Sequence, residues 1–280
     1  RALQDFFTPS RIVIGADDEI VHRALDVLHE RLEAPRMFTT LENAELVKLA
    51  ANAFLATKIS FINEIANMCE RTGADVQEIA KGIGLDPRIG SHFFRAGIGY
   101  GGSCFPKDVS ALHQISGTYG YEFKLLSAVI EVNNRQRELF FKKIEREFKN
   151  LKGRKIGVWG LAFKNGTDDI RESVAIDLVQ RLHARGAEIS VHDPMAMEAA
   201  RTVLSDTIEF APTAIDAAIG AEAVLLLTEW PQFRDVSFST LKDVMFEPRI
   251  FDGRNLLADM NLEKLGFEYY GIGLCRSSRE

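Results

Sequence analysis

One cysteine of the sequence stands in a setting that could carry out nucleophilic chemistry. Cys104 lies in a glycine-rich loop directly before a predicted helix start, and Lys107 follows three residues later. A helix N-terminus and a nearby cation both favour the thiolate, which is the nucleophilic form of cysteine. A buried, inert thiol is the commoner fate of a lone cysteine, and spacing alone does not decide between the two. Cys69, on an apolar helical face, and Cys275, in a polar tail, lack this setting.

Lys48 and Asn52 form a second candidate group. They are four residues apart in a long helical pattern, so they share one helix face among apolar positions. Together they could stabilise an alkoxide, the lysine by its charge and the asparagine by a hydrogen bond. A solvated stripe along the helix edge is the simpler interpretation of the same spacing.

Glycines mark two further segments of interest. Residues 97–102 contain four glycines, which could let the backbone approach a ligand closely or could only permit tight turns. This cluster is not a Walker A loop, and we do not interpret it as a Rossmann fingerprint. Gly157 and Gly160 do not form that fingerprint either. Asp193 stands where a ribose-binding carboxylate would, but Pro194 beside it is equally typical of a turn.

The strand and helix patterns around these residues predict an α/β protein with an all-α middle. Residues 1–38 hold one strand, around 11–15, and one helical pattern, which cannot bury a core alone. We interpret them as the tail of a truncated α/β domain. Residues 39–149 are all-α, with long helical patterns that include one over 123–149. Residues 150–280 alternate short apolar runs with helical segments, as in a parallel sheet with crossovers.

Within these regions the patterns predict particular elements. A capping residue, Asp75, starts a short helix that ends near residues 82–84, and Pro106 suits the first turn of the helix after Cys104. In the last region we predict a helix over 173–185 and strands over 155–160, 188–192, 223–228 and 249–252.

Composition excludes several classes of function. The net charge of −6 and the lack of a Lys/Arg-rich run argue against nucleic-acid binding, which needs a clustered positive face. An odd number of scattered cysteines, three, favours a reducing compartment over a disulfide framework. No apolar run approaches the roughly 18 to 20 residues that cross a bilayer, and no signal peptide is recognisable. We therefore expect a cytoplasmic protein without a membrane partner, and we assign no metal site.

Four long motifs then point to a known family. They are ELVKLAANAFLATKISFINE at 45–64, GYGGSCFPKD at 99–108, GLAFKNGTDDIRES at 160–173 and FDGR at 251–254. In this order, and over almost the whole chain, the sequence resembles the UDP-glucose/GDP-mannose dehydrogenases.

The resemblance implies a domain organisation. In that family an N-terminal Rossmann domain binds NAD, a helical middle domain forms the dimer and a C-terminal Rossmann-like α/β domain binds the nucleotide of the sugar. By this resemblance, residues 1–38 are the end of the NAD-binding domain, whose glycine fingerprint is absent. Residues 39–149 are the helical dimerisation and catalytic domain. Residues 150–280 are the domain that binds the UDP-sugar.

The resemblance also implies a reaction and the residues that carry it. A primary alcohol at C6 of a nucleotide sugar is oxidised to a carboxylate with two NAD, and Cys104 traps the aldehyde as a thiohemiacetal that becomes a thioester. Lys48 and Asn52 would stabilise the oxyanions, and Asp108 would position or activate water. Whether Lys48 or Asp108 acts as the general base, or how they share that role, stays open.

Binding residues follow from the same motifs. The family's sugar-nucleotide positions correspond to Phe93, Arg95, Tyr100, Gly101, Phe163, Lys164 and Arg254. Arg88 matches an arginine that reaches into the partner subunit's site in a homodimer, and Lys107 and Arg171 match positions near the NAD phosphates. Arg95 stands where some members have lysine, so the hydrogen-bond geometry toward the sugar could differ.

Several alternatives remain at this point. The motif around Cys104 resembles enzymes acting on UDP-glucose more than the N-acetylhexosamine branch, where histidine commonly precedes the cysteine, and enzymes acting on GDP-mannose are the nearest rival. A non-catalytic dimerising, nucleotide-binding fragment is a second possibility for these 280 residues. A cysteine hydrolase would need a histidine poised to activate Cys104, and neither His92 nor His113 lies in a motif of that kind.

Overall fold

The structure is a computed structural model that describes residues 6–274. Cys275 therefore lies outside the described residues. The chain divides into two compact units, Arg1–Phe54 and Leu55–Glu280. Each unit contains one parallel sheet.

The first unit contains a β-α-β arrangement. Strand β1 (Ile12–Gly15) and helix α1 (Glu19–Leu28) agree with the sequence pattern, and Asp18 caps the helix by accepting the Ile20 N–H at 2.6 Å. Strand β2 (Arg36–Thr39) pairs in parallel with β1 from Ile12 opposite Arg36 to Gly15 opposite Thr39. The sequence pattern did not predict β2, because four mostly exposed residues show no periodicity.

Long helices form the middle of the chain, as predicted. Helix α2 (Leu41–Thr72) begins in the first unit and continues into the second, and it ends at Gly73, whose φ of 78° only glycine adopts readily. Asp75 accepts the Gln77 N–H at 2.7 Å and starts helix α3 (Val76–Gly84). Helix α4 (Phe105–Thr118) follows Cys104 and has proline in its first turn. Helix α5 (Lys124–Phe148) agrees with the pattern over 123–149 within one residue at each end.

The second unit ends in a six-stranded sheet. Its strands are β3 (Lys155–Trp159), β4 (Glu188–His192), β5 (Glu209–Phe210), β6 (Ala223–Leu226), β7 (Arg249–Asp252) and β8 (Glu268–Tyr270). The order is β5-β4-β3-β6-β7-β8, and every pair is parallel. This is the doubly wound order of Rossmann sheets, which reverses between β3 and β6. Sequence patterns missed β5 and β8, which have only two and three residues.

Short helices connect these strands. Helix α6 (Val174–Ala184) matches the predicted helix over 173–185. The others are α7 (Met197–Arg201), α8 (Phe238–Val244) and the single 3₁₀ turns Asp216–Ala218, Pro231–Arg234 and Leu262–Leu265.

The helical middle and the last sheet share one hydrophobic core within the second unit. The core includes Ile62 of α2, Phe140 and Ile144 of α5, and all four residues of β6. The ring of Phe148, at the end of α5, lies 6.3 Å from that of Phe251 in β7. The fold is thus α/β with an all-α middle, as expected. The domain limits 1–38, 39–149 and 150–280 stay predictions.

Candidate active site

The loop before Cys104 is held by glycines that pack against side chains. Gly99 and Gly102 have φ values of 97° and 83°. A Cβ on Gly99 would lie 2.7 Å from Oδ1 of Asn133, and one on Gly102 would lie 2.5 Å from the Phe163 ring. The loop therefore needs glycine for close packing and for left-handed backbone. Although residues 97–102 have the spacing of a dinucleotide fingerprint, no strand precedes them, so they do not form that turn.

Buried amides on two helices bind the backbone of this loop. Asn133 of α5 accepts the Tyr100 N–H at 2.8 Å and donates to the Tyr100 carbonyl at 3.1 Å. Gln136 donates to the Gly97 carbonyl at 2.9 Å, and Asn63 of α2 accepts the Gly97 N–H at 2.9 Å. These three amides were not among the predicted site residues. Their positions on buried helix faces could have indicated them, since a buried amide is costly unless it has hydrogen-bond partners.

The turn after β7 attaches the same loop to the last sheet. Ile98 donates its N–H to the Gly253 carbonyl at 3.0 Å. The Arg254 guanidinium donates to the carbonyl of Gly99 at 3.1 Å and to that of Leu227, at the end of β6, at 2.9 Å. The predicted binding residue Arg254 thereby joins the glycine loop to the point where the strand order reverses, which is where doubly wound sheets bind ligands.

Cys104 is exposed and occupies the N-cap position of α4, as predicted. Its backbone has φ −100° and ψ −60°, and its side chain makes no capping hydrogen bond. The Ser103 hydroxyl lies 3.8 Å from Sγ. The thiol is thus accessible at a helix N-terminus.

Two exposed cations have a Coulombic interaction with Cys104. A hydrogen bond to Asp108 raises the pKa of Lys107, and the interaction with Cys104 adds a smaller increment. The pKa of Arg171 is raised mainly by its hydrogen bond to Asp169, again with a smaller effect of Cys104. Arg171 forms a two-point ion pair with Asp169, at 2.9 and 2.7 Å. The two residues expected near the NAD phosphates thus lie in the electrostatic neighbourhood of the thiol.

The remaining predicted catalytic residues lie on two helices. Asp108 is buried in the first turn of α4, where it pairs with Lys107. Lys48 is exposed and Asn52 is buried, one turn apart in the part of α2 that belongs to the first unit. Their predicted roles as oxyanion donors stay predictions.

Aromatic side chains stand beside the loop. The Phe105 ring lies 5.9 Å from that of Tyr100 and 6.2 Å from that of Phe93. Burial raises the pKa of the Tyr100 phenol to about 12, against a smaller lowering by Arg137, so the hydroxyl is neutral at ordinary pH. Phe93 has φ 67°, a conformation unusual for a bulky residue, and its side chain is exposed.

Other predicted binding residues occupy the segment between β3 and α6 and the region after α3. Phe163 is half-buried, and Nζ of the exposed Lys164 lies 5.3 Å from the centre of its ring. Arg95 is exposed. The exposed Arg88 side chain binds Asp86, with Nη2 2.6 Å from Oδ2. The described structure therefore gathers Tyr100, Gly101, Cys104, Phe163 and Arg254 around one loop.

A hydrolase arrangement finds no counterpart in this geometry. His113 Nε2 lies 2.9 Å from the Ser127 hydroxyl, and His92 is exposed. Between residues 6 and 274 no histidine is hydrogen-bonded to Cys104. In the same span, no cluster of side chains could hold a metal ion, and no helix is long and apolar enough to cross a membrane.

Two models of a known protein family match this chain. The central-domain model of the UDP-glucose/GDP-mannose dehydrogenase family matches residues 42–135. The UDP-binding-domain model of the same family matches residues 157–259. The chain belongs to this family.

Individual relatives agree with that assignment. UDP-glucose 6-dehydrogenase TuaD from Bacillus subtilis is 44% identical over 97% of this chain and 59% of its own length. UDP-glucose 6-dehydrogenase from Rhizobium meliloti is also 44% identical, over 97% of this chain and 63% of its own. A solved UDP-glucose dehydrogenase from Pyrobaculum islandicum is 39% identical, covers 98% of this chain and 61% of that one, and superimposes with a TM-score of 0.88. The chain thus spans about three fifths of the length of these relatives.

The family's use of NAD can be tested against the described residues. In a dinucleotide-binding sheet, the carboxylate after the second strand binds a ribose. Here both oxygens of Asp193, after β4, are occupied: Oδ2 accepts from Leu161, Ala162 and the Trp230 indole, and Oδ1 accepts from Met195 and Ala196. Asp193 therefore builds a turn, and the last sheet does not fit NAD in the usual way. The assignment of Lys107 and Arg171 to the NAD phosphates stays a prediction.

Proposed function

We propose that this chain contributes the thiol and the sugar-nucleotide site of an enzyme that oxidises UDP-glucose to UDP-glucuronate. The observation that carries the proposal is the exposed Cys104 at the start of α4, on a loop packed against the UDP-binding domain. The names of the relatives support UDP-glucose as the substrate. The proposal applies to a protein that also supplies NAD-binding residues, and we expect the 280 residues alone to be inactive.

The overall reaction removes two hydrides from C6 and adds one oxygen from water. NAD, when bound, supplies the hydride acceptor in both oxidations. The task of this chain is to retain the aldehyde between them, because a free aldehyde would escape or react elsewhere.

Cys104 performs that task by forming a bond. Its thiolate adds to the aldehyde carbon, and the carbonyl oxygen takes up a proton to give a thiohemiacetal. Loss of the second hydride and of that proton leaves a thioester. Water then adds to the thioester carbonyl and gives up its two protons to solvent, the C–S bond breaks, and the carboxylate and the free thiolate are released.

Three further side chains are assigned to these steps. Lys48 and Asn52 stabilise the oxyanions, by charge and by hydrogen bonding. Asp108, buried one turn after the thiol, positions or activates the water. Which of Lys48 and Asp108 acts as the base is a question for pH–rate profiles of the two single variants.

The substrate is held by the loop and by the last domain. The residues we assign to it are Phe93, Arg95, Tyr100, Gly101, Phe163, Lys164 and Arg254. Arg88 completes the site of the partner subunit in a homodimer, and Lys107 and Arg171 face the phosphates of NAD. We expect the assembled enzyme in the cytoplasm.

A Cys104→Ser substitution in the NAD-competent enzyme tests the covalent role. Serine is a far weaker nucleophile at neutral pH, so we expect turnover to UDP-glucuronate to fall by at least about a thousandfold, with the reaction stopping near the aldehyde. Cys69→Ala, which changes a buried cysteine on α2, should leave turnover per folded molecule within about twofold. Unimpaired formation of UDP-glucuronate by the serine variant would reject the mechanism.

Calorimetry on this chain tests the binding site separately. We expect saturable binding of UDP-glucose, weaker binding of UDP-N-acetylglucosamine and GDP-mannose, and negligible binding of NAD. Preference for GDP-mannose would move the substrate to the family's other branch. A second candidate is a nucleotide-binding fragment without catalysis, favoured by the three-fifths coverage of the relatives. It predicts UDP-glucose binding together with normal turnover of the serine variant in the longer enzyme.

A further inference from the structure

A cavity of about 210 Å³ with a lining of mixed polarity lies in the second unit. It is formed by α2, α5 and the segment after β8. Its polar lining consists of Asn67, Glu70, Arg71, Gln136, Lys143 and Arg146. Gln136 also binds the carbonyl of Gly97 in the loop before Cys104, and the other five residues have no part in the proposed oxidation.

The charge of the lining is strongly positive. It contains three cations and one carboxylate, Glu70. Lys143 Nζ pairs with Oε1 of Glu70 at 2.6 Å, and the same oxygen accepts the Gly273 N–H at 3.0 Å. Glu70 therefore neutralises the lysine and is held in place by the backbone.

The two arginines are left without such a partner. Arg71 donates to the carbonyl of Asn67, one turn earlier on α2. Throughout residues 6–274, no carboxylate forms an ion pair with Arg71 or Arg146. Arg71 and Arg146 thus line one cavity whose single carboxylate, Glu70, is paired with Lys143, so the lining keeps a net positive charge that an anion would reduce.

Fixed amides form another wall of the cavity. Gln136 is 2% exposed, accepts from the Asn67 amide at 2.9 Å and donates to the Gly97 carbonyl. Because both of these bonds are made inside the protein, this wall is rigid and polar. A lining that combines fixed amides with two guanidinium groups suits an oxyanion better than an apolar ligand.

We propose that this cavity binds a small tetrahedral oxyanion, with inorganic phosphate as the simplest ligand. A single guanidinium group can bind two oxygens of such an anion through two parallel N–H···O hydrogen bonds. The volume lies below the roughly 300 Å³ at which drug-sized ligands begin to fit, which favours a free anion over a nucleotide. The site is independent of the proposed oxidation, so failure of one leaves the other standing.

Titration of the chain with inorganic phosphate, followed by calorimetry at constant ionic strength, tests the proposal. We expect saturable binding that sulfate competes away and that an equal ionic strength of sodium chloride does not. Arg146→Gln and Arg71→Gln should each weaken binding by about tenfold or more, because each removes a charged hydrogen-bond donor. Both side chains are exposed, so the variants should fold, which circular dichroism checks.

Arg135→Gln is the matched control. Arg135 is an exposed arginine on α5, next to Gln136, and it does not line the cavity. Its loss should change the affinity by less than about twofold. Absence of saturable binding, or equal weakening by all three substitutions, would overturn the proposal, since equal weakening indicates attraction to net charge alone.

Discussion

Asp252 shows how a single buried carboxylate maintains the turn after β7. Its Oδ1 accepts the Arg254 N–H at 2.9 Å, and its Oδ2 accepts the Leu257 N–H and the Tyr269 hydroxyl, both at 2.8 Å. Burial raises the pKa of the Asp252 carboxyl, and these donors offset that increase only in part. The conformation that presents the Arg254 guanidinium therefore depends on a carboxyl group that the fold disfavours in its charged form.

This imbalance predicts a particular dependence of stability on pH. Since the pKa is raised in the folded state, the stability from Asp252 is complete below its unfolded value of about 4 and declines as the pH rises through the folded value. The free energy of unfolding of the wild type and of Asp252→Asn can be measured in urea over a pH series. As the pH increases from about 4, the value for the wild type should fall relative to that of Asp252→Asn. In Tyr269→Phe, which loses a donor that favours the carboxylate, the decline should extend to higher pH. A difference between wild type and Asp252→Asn that stays constant with pH would contradict this assignment.

At the scale of elements, α5 holds the loop that leads to Cys104 in place by hydrogen bonds. Asn133 forms hydrogen bonds with both the N–H and the carbonyl of Tyr100, and Gln136, one turn later, binds the Gly97 carbonyl. Glycine at 99 and 102 lets this backbone approach the helix and the Phe163 ring closely enough for such contacts. The position of Cys104 thus depends on a helix about thirty residues away in the chain.

Substitution of Asn133 tests this dependence. In Asn133→Ala the Tyr100 N–H is left buried without its acceptor, while its carbonyl keeps the Arg137 donor at 3.0 Å. We expect a loss of about 1–3 kcal/mol in the free energy of unfolding, measured by urea denaturation. Asn134→Ala, at the exposed neighbouring position, should change it by no more than about 0.5 kcal/mol. Equal effects of the two substitutions would mean that the amide does not hold the loop.

At the scale of the whole molecule, the two compact units differ in how much structure each can bury. In the second unit, all four residues of β6 are buried in a six-stranded sheet. In the first unit, the sheet has two strands and β2 has no buried residue. Two-stranded sheets are marginal by themselves, and local opening is cheapest where few apolar groups are buried.

Hydrogen exchange followed by mass spectrometry measures this difference. We expect amides in peptides covering β1 and β2 to exchange at least about tenfold faster than those covering β3 and β6. Both pairs are parallel, so the comparison controls for the type of hydrogen bonding. Equal protection of the two sheets would show that the first unit is as stable as the second.

The sequence alone determined the long elements and the family. Helices α2 and α5 and strands β3, β4, β6 and β7 were recognisable because apolar periodicity persists over enough residues to stand above chance. The four motifs were long enough to assign the family and to single out Cys104. Strands β5 and β8 were missed because they have only two and three residues, and β2 was missed because none of its residues is buried. Pairing with a neighbouring strand is what creates all three.

Only the tertiary structure decided what individual polar and glycine residues do. Asp193 could have bound a ribose or built a turn, and five donors, three of them from distant segments, assign it to the turn. Gly102 could have faced a ligand, and in the fold it packs on Phe163. Such roles depend on contacts between residues far apart in the chain, which local patterns do not encode, whereas periodicity is a property of neighbouring residues and is visible in the sequence itself.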